Sequence, residues 1–91
     1  MAGSRYLADA DILAATAEME GLTILFHAAS GQTHILAPPA PQILAVLAGV
    51  AGDEAEIRAR MERQFELRSD DPGALAARLA ELEAAGLVHR Q

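Results

Sequence analysis

The chain has 91 residues, enough for one domain with a modest core, and its 52% hydrophobic and 22% charged content fits a folded domain. It contains no cysteine, which excludes disulfides, thiolate metal sites and a cysteine nucleophile. The net charge of −6, with arginine as the sole side-chain cation besides histidine, weighs against phosphate backbones as partners, and no apolar run approaches the ~18 residues of a membrane span. Aromatics are only 3%, so the core is aliphatic and alanine-rich, with less to gain per residue from burial. With no signal-peptide pattern at the N-terminus and no thiol chemistry, the expected location is cytoplasmic.

Residues 1–11 carry no periodic pattern. Ile12–Met19 mixes Ile12, Leu13 and Met19 with alanines; it suits a short helix by propensity and a first strand by its position before Glu20-Gly21. The stretch from Leu22 to Leu36 predicts a β-hairpin. Two apolar arms flank Ala29-Ser30-Gly31, and a three-residue loop wants a left-handed residue at its last position, which glycine supplies without a Cβ clash. That register sets Phe26 opposite His34, Ile24 opposite Leu36, Leu25 opposite Ile35 and His27 opposite Thr33. Both faces of the hairpin are then apolar and both need cover, while the outer edge of Thr33–Leu36 keeps backbone donors and acceptors for a partner.

Pro38, Pro39 and Pro41 end the last strand, and Pro41 suits the first turn of a helix over Gln42–Leu47, closed by Gly49 and Gly52. Asp53 and Glu56 have the spacing of a capping box. The second helix that follows carries Arg58, Arg60, Arg63 and Arg68 interleaved with Glu56, Glu62 and Glu66, a solvated face of mixed sign. Ile57, Met61 and Phe65 recur at i, i+4 and i+8 as its buried stripe. Asp71 and Pro72 open a third helix whose apolar stripe is Leu75, Leu79 and Leu82. Gly86 then takes the left-handed position and Leu87 folds back on Leu82. Leu87-Val88-His89 can add a short extended tail. Strands first, then three helices, define a single α+β domain over residues 1–91, of winged-helix type.

Reactive groups do not converge in this reading. His27 and His34 point to opposite faces of the hairpin, so no metal site is expected. Ser30 lies in a turn without a G-x-S-x-G context, and helix capping accounts for Asp71 of the Asp70-Asp71 pair and for Asp53 beside Glu54. The absence of lysine removes a P-loop at Gly49–Gly52. No catalytic residue and no cofactor is implied. A groove between the Thr33–Leu36 edge and the third helix would instead join a hydrogen-bonding wall to an apolar one, as strand addition by an extended peptide requires. Arg78 could steer an acidic peptide there or pair with Glu81, three residues on.

Taken in order, the apolar strand, its turn, Thr33-His34-Ile35-Leu36, the Ala40 to Ile43-Leu44 helix and Leu79-x-x-Leu82-x-x-x-Gly86-Leu87 resemble the PqqD family of small peptide chaperones. The resemblance covers about Leu22 to Val88. The Ser30-Gly31-x-Thr33-His34-x-Leu36 run is similar to the PqqD-like proteins of the HPr-rel-A system, encoded beside a kinase related to HPr kinase. This resemblance implies a winged-helix-like RiPP recognition element, three strands followed by three helices. It would bind the leader of a precursor peptide as a further strand on Thr33, His34, Ile35 and Leu36, against Leu75, Arg78, Leu79 and Leu82. The chain departs from the family pattern at Ala37, Ala48-Gly49, Ala74 and Arg78, which leaves the identity of the bound segment open.

The expected function is therefore a non-catalytic peptide-binding chaperone or adaptor that presents an extended segment to a partner enzyme. A precursor peptide or an HPr-kinase-related protein is the expected partner. The alternatives are a winged-helix nucleic-acid binder, which the charge disfavours, and a structural module that homodimerises through the same strand edge.

Overall fold

The computed structural model describes residues 3–66 and 72–91. The elements run β1 (Tyr6–Leu7), β2 (Thr16–Met19), β3 (Leu22–His27), β4 (Gln32–Leu36), α1 (Ala40–Leu47), α2 (Glu54–Phe65), α3 (Pro72–Ala84) and β5 (His89–Arg90). β2, β3 and β4 form an antiparallel sheet in that spatial order, and β1 pairs with β5 in a second, two-stranded sheet. The chain is thus an α+β domain: a three-stranded antiparallel sheet, then three helices, with the small β1–β5 sheet joining its ends.

The turn between β2 and β3 is Glu20-Gly21, with φ of 52° and 81°, and it sets Met19 opposite Leu22. Strand wins over helix here, but only for Thr16–Met19. Ile12 lies in the preceding turn and is buried there.

The hairpin of β3 and β4 forms one residue out of the expected register. His27 pairs with Gln32, Phe26 with Thr33, Leu25 with His34, Ile24 with Ile35 and Thr23 with Leu36. The loop is Ala28 to Gly31. The N–H groups of Ser30 and Gly31 both donate to the His27 carbonyl, at 3.2 and 2.8 Å, making one helical turn that Gly31 leaves at φ 72°. Ser30 Oγ accepts from the Gln32 N–H at 3.3 Å and so holds the exit of the turn. Glycine keeps its expected role; the loop is simply longer by Ala28. Because strand side chains alternate, that single step exchanges the faces of β4 relative to β3.

One face of the sheet is covered. Leu25 is fully buried and Thr23 nearly so, its Oγ1 donating to Glu18 Oε1 at 3.1 Å. Leu25 joins a core of Ile43, Leu44 and Leu47 from α1, Ile57 and Met61 from α2, and Leu75, Leu79 and Leu82 from α3. The other face stays open, so the helices of the chain cover one of the two apolar faces and leave the second exposed.

The helix signals mostly read true. Asp53 Oδ1 accepts from the Glu56 N–H at 2.8 Å while Glu56 Oε1 accepts from the Asp53 N–H at 3.1 Å, a complete capping box. At the end of α3, Leu87 N–H donates to the Leu82 carbonyl at 2.9 Å and Gly86 N–H to that of Glu83 at 3.0 Å, with Gly86 at φ 79°. These are the two bonds of a Schellman closure. Phe65, by contrast, is 38% exposed rather than buried. Eight residues of helix turn through about 800°, which sets Phe65 some 80° around from Ile57. The proposed cap at Asp71, the Asp70-Asp71 pair and Arg68 lie outside the described residues.

The N-terminal segment is structured despite its lack of pattern. Tyr6 and Gly52 exchange backbone hydrogen bonds of 2.8 and 2.9 Å, and Ala8 bonds to Leu47 and Gly49. Tyr6 and Ala8 are both buried. The C-terminal tail closes on the same segment, with Gln91 N–H donating to the Arg5 carbonyl at 2.8 Å.

Candidate edge-strand site

β4 is an outer strand of its sheet, and the direction of its unpaired groups follows from one bond. Phe26 N–H donates to the Ala15 carbonyl at 2.9 Å, so the backbone of Phe26 faces β2. Backbone polar groups alternate sides along an antiparallel strand. Leu25 therefore faces β4, and His34 opposite it faces back to β3. Thr33 and Ile35, one residue to either side of His34, turn their N–H and C=O outward. Neither makes a backbone bond to another segment among the described residues. Two donors and two acceptors, about 7 Å apart along the strand, are open to a further strand.

The eight residues expected to form the site fall into four environments. Thr33 and Ile35 are exposed, with side chains on the open face, and Ile35 is 68% exposed. His34 and Leu36 are half-buried on the covered face, where Leu36 packs against the core. Leu75, Leu79 and Leu82 are core residues, with Leu79 wholly buried, so they do not supply the exposed apolar wall expected of them. Their i, i+4, i+7 spacing is that of any helix facing a core, and here the core takes all three. Arg78 is at the surface, its Nε donating to Glu81 Oε2 at 2.6 Å, so the local ion pair replaces a free cation.

The register also corrects the histidines. His27 and His34 share the covered face, with ring centroids 6.3 Å apart and planes at 62°, rather than diverging. His27 Nδ1 bonds Ser30 Oγ at 2.8 Å, while the buried Nε2 of His34 has no hydrogen-bond partner among the described residues. Among the described residues no three His, Cys, Asp or Glu side chains are grouped to hold a metal. Ser30 Oγ serves the turn through His27 and Gln32, which accounts for its position without nucleophilic chemistry.

The open face has a signal in the sequence. Leu22, Ile24 and Phe26 form the wholly apolar set of the strand, yet the alternate set, Leu25 between Thr23 and His27, is the one that faces the core. Comparison with protein-family models, with curated proteins and with solved structures finds no match for this chain. Among the described residues no helix is long and apolar enough to cross a membrane.

Proposed function

We propose that this protein is a non-catalytic peptide-binding adaptor of PqqD-like, winged-helix type, which takes up an extended segment as a fourth strand beside β4 and presents it to a partner enzyme. The observation that carries this reading is the outward pair of Thr33 and Ile35 backbone groups on an exposed outer strand. An added strand would satisfy them at once, with main-chain bonds for affinity and alternate side chains for selectivity. Its side chains opposite Thr33 and Ile35 would fall beside those two on the open face, one strand beyond Phe26 and Ile24, and those between would fall beside His34 on the covered face. A leader of a precursor peptide, or an extended segment of a kinase-related enzyme, has the required form. No nucleic acid, membrane or cofactor enters this function.

The test is a pull-down from host cytosol with tagged native protein and two proline variants. At Ile35 the N–H points away from β3, so Ile35→Pro leaves the hairpin bonds in place and removes an edge donor. Retention of a peptide or enzyme by the native chain and its loss with folded Ile35→Pro is the expected result. Equal retention by both contradicts strand addition at this edge. Proline at Thr33, the other outward position, is expected to behave as Ile35→Pro does.

A further inference from the structure

The open face of the three-stranded sheet is uncharged throughout. Its central column is Phe26, Ile24 and Leu22, of which Phe26 is 49% exposed and Leu22 37%. On β2 the neighbours are Ala17 opposite Ile24 and Met19 opposite Leu22, with Ala15 opposite Phe26 just before the strand. On β4 they are Thr33 opposite Phe26 and Ile35 opposite Ile24, with Ala37 next by alternation. Met19 is 59% exposed and Ile35 is 68%. A chain with thirteen acidic side chains and a charge of −6 has placed none of them on this face. Exposed contiguous apolar surface of this kind marks an interaction site.

We infer that this face packs on the same face of a second copy, about a two-fold axis parallel to β3. Two features of the face select this occupant. The first is charge. Any face with acidic residues would meet its own like charges across a two-fold axis, and an uncharged one does not. The second is the distribution of volume. Rotation about an axis along β3 lays β2 of one copy over β4 of the other and keeps the rows level. Ile35 then lies over Ala17 of the second copy, Met19 over Ala37, and Ala15 over Thr33. Each large flanking side chain meets a small one, and the central column meets itself. Rotation about an axis across the middle row would instead lay Ile35 over its own copy, large against large, and Met19 over Ala15. Two copies of one twisted sheet also pack face to face with strands nearly aligned, at the usual spacing of about 10 Å.

The dimer uses side chains of the face and leaves the outward backbone of Thr33 and Ile35 free, so it is independent of strand addition. The face spans three short strands, less than the roughly 800 Å² per partner of a standard stable interface, so association is weak and concentration-dependent.

Sedimentation equilibrium over about 5 to 500 μM tests the inference. The native chain is expected to pass from monomer to dimer across that range. Phe26→Glu buries two charges in a symmetric contact and is expected to weaken association at least about a hundredfold. Ala17→Ile overfills the place of Ile35 from the second copy, twice per dimer, and is expected to weaken it about tenfold. The swap Ala17→Ile with Ile35→Ala restores the summed volume and should recover most of the loss. All these positions are exposed or half-buried in the monomer, and circular dichroism of each variant should match the native chain. A native chain that stays monomeric at 500 μM overturns the inference. So does a dimer indifferent to Phe26→Glu, or a swap no better than Ala17→Ile alone.

Discussion

Arg60 shows how much a single side chain can do in a small core. Its Nη1 donates to the carbonyls of Val46 and Val50, both at 3.1 Å, and its Nη2 to that of Ala51 at 2.8 Å. The Val46 carbonyl is among the last of α1, where no helical N–H remains to pair with it, and a cation also suits the negative end of the helix dipole. Gly52 makes room for this arrangement, since a Cβ there would lie 2.7 Å from Nη1. Arg60→Ala is therefore expected to cost about 2–3 kcal/mol in urea unfolding, as carbonyls lose a charged donor. Gly52→Ala should cost about 1–2 kcal/mol in the native background and much less once Arg60 is alanine. Additive losses in the double variant would show that the two do not share this contact. In the sequence Arg60 was one of several arginines on a solvated face. Its partners are backbone carbonyls, which no side-chain pattern announces.

At the scale of elements, what was legible depended on how far apart the interacting residues lie. The Asp53–Glu56 box and the Gly86-Leu87 closure are complete within a few consecutive residues, and both formed as read. The hairpin register was harder. Loops of three and four residues both end in left-handed glycine, and Ser30 chooses the longer by bonding Gln32 and His27. That choice decides the effect of proline in β4. His34→Pro removes a bond to Leu25 inside the hairpin and is expected to cost about 3 kcal/mol or more, with loss of sheet signal. Ile35→Pro points its missing N–H outward and should cost about 1 kcal/mol. Thermal unfolding of the two variants compares them directly. A reversed order would restore the shorter loop and its register.

Across the whole molecule, the contacts hardest to foresee join distant parts of the chain. Tyr6 and Ala8 reach Gly52, Leu47 and Gly49, and β5 pairs back with β1, although the first eleven residues show no periodicity at all. The candidate site divided in the same way. That β4 is an outer strand is legible in the hairpin and the prolines that end it. Core and groove ask for the same spacing of Leu75, Leu79 and Leu82, and all three are buried in the core. The one-residue slip moves Ile35 onto the open face, opposite Ile24. The molecule that results presents two separate surfaces, a backbone edge and an uncharged face, on one small sheet.

Strand addition at the β4 edge is read most directly by amide hydrogen exchange followed residue by residue. In the free protein Thr33 and Ile35 should exchange quickly while His34 between them is slow, because only His34 bonds to β3. On adding the peptide or enzyme segment retained by the native chain, Thr33 and Ile35 should slow at least about tenfold, with the other strands little changed. Fast exchange at His34, or no protection of Thr33 and Ile35 in the bound state, would contradict strand addition at β4.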